Sequence, residues 1–514
     1  MERRAASIHV HIDGDSGPSI VDVANASLRA LFALLEHSNG AQLGHIMRAV
    51  FGSLDQLNGW SKIEHCCWFA QKVSEWAQYQ YRYAVPTWLV ERLLESQDIP
   101  ATTSLHNALA AMVTAVFNSP VPLVNLSTSD IISNLMTLLL RRITLDPEDP
   151  LLPALVDCIA SLGSHVYYSD QIHDLGMELV GRLVIVDAQG VPGSRKADYV
   201  QSRSQAIRCL LAGLLGLIRT ADKNEATKAI AGNNEVKPRH ISAPNALTLD
   251  NHTRDDRVQA RRTNVPIDLW RDTLSILCDA DYSLRADYSE ALVFYLINEF
   301  PKKGEYTNVD GIPATFTQAT NTVPQGEFVT KFLNAMHSYI YILATTPCLG
   351  YASSSTPTPE HSANGDSPAN TLPTSGSSEH RHSHGSGRRS LTLAAAPRSR
   401  KSSAIQRLLD RVPHNVSKST SASASDYAHI LDILTTVHEQ LPVRGLLTGV
   451  PMLLALESAA NADDMDDQVT WQRVMAIKEI TTRVWSTIAN VWDCPELLEI
   501  TNQVCFPFVT RASS

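Results

Sequence analysis

Two stripes of apolar side chains with helical spacing, separated by a short polar turn, occupy Asn264–Pro301. The first stripe comprises Ile267, Trp270, Leu274 and Leu277, and the second comprises Leu284, Tyr288, Leu292 and Tyr295. Residues three or four apart lie on one face of an α-helix, so each stripe predicts an amphipathic helix. Two such helices joined by a turn make a HEAT-like hairpin, which cannot bury its apolar face without neighbouring hairpins.

The polar residues of this segment predict where its helices begin. Pro266 suits the first turn of a helix, because the N–H that proline lacks would be unpaired there. Either Asp281 or Ser283 can cap the second helix with a side-chain oxygen. We predict that Trp270, Asp281 and Arg285 are structural residues that hold the hairpin and the rod together.

Helical stripes separated by turn residues recur on both sides of this hairpin, and no run alternates with the two-residue period of a strand. The turns include LDPEDP at Leu145–Pro150, and Gly163 suits a helix C-cap. The predicted fold is all-α, a HEAT/armadillo-like α-solenoid with long disordered insertions. Its parts are a flexible N-terminus (1–18), a first solenoid part (19–220), a polar loop (221–263), a second part (264–343), a disordered Ser/Pro/basic insertion (344–425), a third part (426–504) and an irregular tail (505–514).

The composition limits the partners and the location of such a protein. Its 514 residues carry a formal net charge of -10, which argues against a nucleic-acid-binding protein. No apolar run reaches the roughly 18 residues of a membrane span, and the N-terminal residues lack the apolar core of a signal peptide. The eight cysteines are interpreted as reduced, buried thiols, with lipidation of Cys66 and Cys67 as the alternative. The sequence therefore predicts a soluble protein, or one that is peripheral to a membrane.

The chain contains no G-x-S-x-G elbow, P-loop, dinucleotide-binding glycine pattern or H-E-x-x-H motif. We therefore predict no catalytic, cofactor-binding or metal-binding residues and no cofactor; a lipid hydrolase is the enzymatic alternative. His380, His382 and His384 are interpreted as part of a solvated linker, and His165 and His173 as core or capping residues. The acidic run NADDMDDQ lacks the spaced oxygens of a calcium loop.

A basic run at Arg388–Arg411 lies inside the predicted insertion. Anionic membrane surfaces attract such segments, and phosphorylation weakens the attraction. The candidate membrane-contacting residues are Arg388, Arg389, Arg398, Arg400 and Lys401. The candidate phosphorylation sites, which follow basic residues as the sites of basophilic kinases do, are Ser390, Ser402 and Ser403. The alternative is a linker whose charges only increase solubility.

Three long stretches resemble the fungal Efr/Rolling-blackout family: LLLRRITLDPEDPLLPALVDCIASLGSHVYYSDQIHDL, VPIDLWRDTLSILCDADYSLRADYSEALVFYL and YAHILDILTTVHEQLPVRGLLTGVPMLLALE. The resemblance covers about Ser127–Thr220 and Asn264–Glu457. It implies a plasma-membrane scaffold of the phosphatidylinositol 4-kinase complex, built as a HEAT/armadillo-like rod. In the family a basic or lipidated N-terminal portion contacts the inner membrane surface. The family's C-terminal region recruits a tetratricopeptide-type adaptor, which brings the kinase.

Both ends of this chain depart from the family pattern. The chain begins without the Cys- or Lys-rich opening of the family and stops soon after Val504, which predicts a truncated chain. The first hypothesis is a non-enzymatic scaffold for the kinase complex on the cytoplasmic face of the plasma membrane, with anionic lipids as further contacts. A cytosolic location is expected if the N-terminal membrane module is absent. The alternative function is a generic HEAT/armadillo adaptor in transport or membrane tethering.

Overall fold

The computed structural model describes residues 19–165, 171–195, 197–234, 264–301, 323–346, 422–462 and 468–501, and no strand occurs among them. Their α-helices are α1 (Ile20–His37), α2 (Gly40–Gln56), α3 (Ile63–Trp76), α4 (Ala84–Glu95), α5 (Ser104–Phe117), α6 (Thr128–Leu145), α7 (Leu152–Ser161), α8 (Gln171–Gln189), α9 (Tyr199–Asn234), α10 (Ile267–Arg271), α11 (Tyr282–Asn298), α12 (Val323–Thr345), α13 (Ala424–Gln440), α14 (Pro442–Ala462) and α15 (Gln468–Val491). The predicted all-α fold class is confirmed.

These helices stack in two layers, because each helix packs against the helix two positions further along the chain. The odd-numbered helices follow one another in one layer, and the even-numbered helices follow one another in the other. The same order continues beyond the segment 347–421, since α11 contacts α13 and α12 contacts α14. The segment 347–421 is thus an insertion between two successive helices of one solenoid, and the predicted solenoid is confirmed.

Helix α6 shows how the sequence specifies this stacking. The predicted stripe residues Ile131, Leu135 and Leu139 are all buried. Burying one such side chain contributes roughly 1.5–3 kcal/mol relative to leaving it exposed. The turn LDPEDP follows at the end of α6, and α7 begins at Leu152, as expected for a proline-rich break between two helices.

The hairpin at 264–301 differs from its prediction in the first arm. Pro266 lies just before the helix instead of in its first turn, and α10 ends after five residues, at Arg271. The chain then continues as a 3-10 turn over Leu274–Cys278. At this break the hydroxyl of Thr273 donates to the Trp270 carbonyl at 2.8 Å.

Two further predictions about the first solenoid part are corrected. Helix α9 continues through Asn234, beyond the predicted start of a polar loop at residue 221; Ala221 is buried and Asn224 donates to the Ser164 carbonyl at 2.7 Å. Gly163 is not a C-cap but lies inside a 3-10 turn, Leu162–His165. A Cβ atom there would lie 2.3 Å from the Leu217 carbonyl oxygen, so the close approach of α9 requires glycine.

The prediction that no apolar run is long enough to cross a membrane is wrong for helix α14. Its residues Pro442–Asn461 have a mean hydropathy of 1.3, and by length and composition alone they could span a bilayer. Leu453, Leu456 and Ala460 of this helix are buried in the solenoid core, and α14 packs against α12, α13 and α15. These contacts are those of a core helix, but part of α14 remains exposed.

Candidate functional site

Three arginine side chains lie near the ends of helices α6, α9 and α11, where they contact other parts of the solenoid. Arg142 and Arg285 are fully buried, and Arg203 is mostly buried. A buried charge is tolerated only when it is paired and its hydrogen bonds are satisfied. Arg203 and Arg285 each pair with an aspartate on another helix, whereas the partner of Arg142, Asp149, lies in the turn that directly follows its own helix.

Arg285, at the start of α11, pairs with Asp426 in the first turn of α13. Its Nε and Nη2 atoms donate to the two carboxylate oxygens of Asp426, each at 2.7 Å. Its Nη1 atom donates to the carbonyls of Asp279 and Ala280 at 2.8 and 3.1 Å. This bidentate pair joins α11 to the helix that follows the insertion, across 141 positions of sequence.

Asp426 also organises the beginning of α13. Its carboxylate accepts hydrogen bonds from the backbone N–H and the hydroxyl of Ser423, at 2.7 and 2.8 Å. The Ser423 hydroxyl in turn accepts from the Asp426 N–H, which completes a capping box. Burial acts to raise the pKa of the Asp426 carboxyl, but the hydrogen bonds from Arg285 and Ser423 outweigh it, and the pKa is lowered.

Arg203 extends the same network towards the first part of the solenoid. It donates to the Asp187 carbonyl at 3.2 Å and to the Asp279 carboxylate at 2.8 Å. The other carboxylate oxygen of Asp279 accepts from the backbone N–H of Asp281 at 2.8 Å. Because the Asp279 carbonyl accepts from Arg285, one continuous set of polar contacts joins α8, α9, α11 and α13.

Arg142, at the end of α6, makes a similar joint. Its Nε donates to the Asp149 carboxylate at 2.6 Å, and its Nη2 donates to the Thr102 hydroxyl at 2.9 Å. Its Nη1 donates to the Ile99 carbonyl. The side chain therefore joins the turn between α4 and α5 to the turn between α6 and α7.

The three residues that the sequence marks as structural all lie in the hairpin at 264–301. Trp270 is buried and stacks on Tyr295 with the ring centroids 4.5 Å apart. Asp281, one of the two predicted caps, accepts from the Ser283 N–H at 2.9 Å and so caps α11. Arg285 is placed one turn further along the same helix. Its pairing with Asp426 could not be read from the sequence.

Two buried histidines, His337 on α12 and His438 on α13, were not singled out by the sequence. Neither ring makes a well-formed hydrogen bond among the described residues, although the Thr448 backbone acts on His337 in the direction that raises its pKa. Burial, with a smaller effect of His438, lowers the pKa of His337 to about 3, and burial lowers the pKa of His438 to about 4. A Cβ atom at Gly449 would lie 2.8 Å from Nε2 of His438, so α14 needs glycine to accommodate the ring.

The described residues offer little for catalysis or metal binding. No group of three or more His, Cys, Asp or Glu side chains in the described ranges could hold a metal ion. Burial raises the pKa of the Cys158 and Cys278 thiols to about 12, which disfavours the reactive thiolate. His165 is buried with Nε2 2.8 Å from the Phe117 carbonyl, and His173 lies beside Asp174 at the surface.

Several predicted residues fall outside the described ranges. They are the membrane-contacting candidates Arg388, Arg389, Arg398, Arg400 and Lys401, the phosphorylation candidates Ser390, Ser402 and Ser403, the histidines His380, His382 and His384, most of the acidic run after Ala462, and both chain ends.

Curated fungal proteins are similar to this chain, and some of them match it over almost its whole length. Protein EFR3 of Cryptococcus neoformans is 33% identical over 531 residues, which cover 98% of this chain and 47% of that protein. Protein EFR3 of Mycosarcoma maydis is 28% identical, with 96% of this chain and 49% of that protein covered. Protein efr-3 of Neurospora crassa is 25% identical over 44% of this chain and 21% of that protein. The chain thus spans about half the length of the first two relatives.

No family model matches the chain, and no solved structure matches it.

Proposed function

Because this chain belongs to the EFR3 family of fungal proteins, we propose that it is a non-enzymatic scaffold that helps to recruit or stabilise a phosphatidylinositol 4-kinase complex at the plasma membrane. The observation that carries the proposal is the 33% identity over 98% of the chain, which supports the family resemblance of the sequence. The two-layered solenoid supports it as well, since stacked helical hairpins offer long surfaces to partner proteins.

The buried contacts of Arg142, Arg203 and Arg285 suit a scaffold that must hold its partners at fixed positions relative to one another. A solenoid whose hairpins contact only their neighbours bends at the weakest joint between them. Arg203 and Arg285 tie four helices together with charge-assisted hydrogen bonds, including the joint at the insertion. In this proposal the rod positions a tetratricopeptide-type adaptor and the kinase on the cytoplasmic face of the plasma membrane, and no residue of the rod performs chemistry.

A pull-down with the kinase complex's tetratricopeptide adaptor tests this function. The complete gene product should retain the adaptor and, through it, the lipid kinase. A HEAT-repeat protein of similar size from a transport pathway is the control and should retain neither protein. If the complete gene product stays folded by circular dichroism but does not bind the tetratricopeptide adaptor, that result would favour the alternative function, a generic HEAT/armadillo adaptor in transport or membrane tethering.

The basic run is proposed as a second point of membrane contact. Near an anionic membrane each Lys or Arg contributes about 1 kcal/mol, so the five candidate residues together can anchor the insertion. We expect a protein lacking residues 388–411 to float with phosphatidylserine-containing vesicles much less than the parent. The matched control lacks residues 353–376, which are equal in number and contain no Lys or Arg.

Phosphorylation supplies a second readout of the same contact. Replacing Ser390, Ser402 and Ser403 with aspartate adds negative charge beside the arginines and should also lower flotation. Equal flotation of the parent and the variant lacking residues 388–411 would show that the run is only a solubilising linker.

A further inference from the structure

A groove runs between α11 and α13, beside the ion pair of Arg285 and Asp426. It contains a cavity of about 460 Å³. Clefts that bind ligands have volumes of roughly 300–1,000 Å³, so this cavity is large enough for a side chain of a partner. The buried ion pair holds the two helices together, and the groove is therefore formed before any ligand arrives.

The walls of the groove carry three carboxylates, and no lysine or arginine of the described residues lines it. Asp287 and Glu290 belong to α11, and Asp432 belongs to α13. Asp287 accepts a hydrogen bond from Nε of Arg208 at 2.6 Å. Nη2 of Arg219 lies 4.0 Å from Glu290, too far for a hydrogen bond, and Asp432 forms no ion pair within the described ranges. Two of the three carboxylates are therefore available to a cation.

A buried hydroxyl in the same groove also lacks a partner. Thr436 of α13 lines the cavity and is 8% exposed, and its hydroxyl makes no hydrogen bond to a described residue. Threonine hydroxyls in helices usually donate to a carbonyl of the preceding turn, as Thr435 does to Leu431 at 2.9 Å. A buried polar group without a partner costs free energy, and a ligand that bonds to Thr436 removes this cost.

These groups suit an organic cation better than a metal ion. No three His, Cys, Asp or Glu side chains in the described part of the chain lie close enough together to hold a metal. A guanidinium group is larger, and its planar fork presents five N–H donors that reach several acceptors at once. Its hydrogen bonds to carboxylates are charge-assisted and thus stronger than those between neutral groups.

We propose that this groove binds an arginine side chain of a partner protein. The guanidinium donates to the carboxylates of Glu290 and Asp432 and to the hydroxyl of Thr436, while the aliphatic stem of the arginine packs on Val293. A protein segment suits the site because the groove is open to solvent and its acidic walls attract basic segments. The contact involves the rod alone, so it does not depend on the proposed role with the lipid kinase.

Fluorescence anisotropy of labelled hexa-arginine, titrated with the complete chain, tests the proposal. The ionic strength is about 0.15 M, at which long-range attraction is largely screened. Glu290→Gln/Asp432→Asn should weaken binding about tenfold, because two charge-assisted hydrogen bonds are lost. Thr436→Val leaves the charge unchanged and should weaken binding about threefold, because one hydrogen bond is lost. Circular dichroism shows that the variants remain folded.

The matched control is Glu91→Gln/Glu95→Gln. It removes the same number of negative charges from exposed positions of α4, far from the groove along the chain. Because screening leaves little attraction by distant charges, the affinity should stay within about twofold of the parent's. Equal losses in this control and in Glu290→Gln/Asp432→Asn would show attraction by net charge only. That result, or a parent that does not bind hexa-arginine, would overturn the proposal.

Three further comparisons define the ligand. Hexalysine should bind more weakly, because an ammonium group is a point charge without the planar fork; equal affinity would overturn the assignment to arginine. Free arginine that binds as tightly as hexa-arginine would indicate a small-molecule site. Binding that appears only after deletion of residues 388–411 would indicate that a segment of this chain fills the groove. Either of the last two results overturns the docking of a partner protein.

Discussion

Replacing Asp426 with alanine is expected to lower the free energy of unfolding by about 3–5 kcal/mol, the loss that follows when one partner of a buried ion pair is removed. The variant leaves the Arg285 guanidinium buried without its bidentate partner. It also removes the carboxylate that accepts hydrogen bonds from Ser423, so the capping box at the start of α13 is lost. Urea denaturation followed by circular dichroism measures the loss, and hydrogen exchange should place it in α11 and α13.

The chain provides a matched control for this substitution. Asp22 forms the same capping box with Ser19 at the start of α1, but it is exposed and has no buried arginine partner. Asp22→Ala should therefore cost far less than Asp426→Ala. The variant Arg285→Met/Asp426→Leu should be less destabilised than the sum of its two single changes, because it leaves no unpaired charge in the interior. Similar losses for Asp22→Ala and Asp426→Ala would contradict the role given to the ion pair.

Acid is expected to destabilise the protein through His337 and His438 well above the pH at which carboxylates titrate. In the unfolded chain both side chains take up protons below about pH 6.5, whereas the folded protein keeps them neutral down to about pH 4. The unfolded state therefore binds more protons in this range, and stability falls as the pH falls. For two histidines the loss between pH 7 and pH 5 is roughly 4 kcal/mol.

A double substitution isolates this effect. The variant His337→Leu/His438→Leu removes both titrating groups at nearly constant side-chain volume. It also removes buried ring nitrogens that make no well-formed hydrogen bond among the described residues. The free energy of unfolding of this variant at pH 7 should equal or exceed that of the parent. Between pH 7 and pH 5 the variant should lose roughly 4 kcal/mol less stability than the parent does. The control His45→Gln replaces an exposed histidine and should keep the parent's slope. Equal slopes in the parent and the double variant would contradict the burial of the pair.

The sequence was sufficient to predict the solenoid, because its signals are local. The stripe Ile131, Leu135 and Leu139 lies within one helix, and the cap at Asp281 acts on Ser283, two residues away. Short-range patterns of this kind fix where helices begin and which face is buried. The break after Arg271 was missed because the apolar spacing continues across it; at the break Thr273 lies 2.6 Å from the Tyr288 hydroxyl in another helix, a contact that the local sequence does not reveal.

The buried ion pair and the buried histidine pair could not be predicted, because the members of each pair lie far apart in the sequence. Arg285 and Asp426 are separated by the whole insertion, and nothing in either local sequence identifies the other as its partner. His337 and His438 look like ordinary helix residues until α12 and α13 are packed side by side. One signal was available for the histidines: Gly445 and Gly449 in an otherwise apolar helix indicate that a neighbouring group approaches α14 closely.

The location of the lipid kinase in cells tests the proposed function most directly. Deleting the gene for this protein from its own cells should release a fluorescently tagged phosphatidylinositol 4-kinase from the plasma membrane into the cytosol. Phosphatidylinositol 4-phosphate in that membrane should fall several-fold, and re-expression of the gene should restore both. A kinase that stays at the plasma membrane in the deletion strain, with unchanged phosphatidylinositol 4-phosphate, would contradict the proposal that this protein is its scaffold.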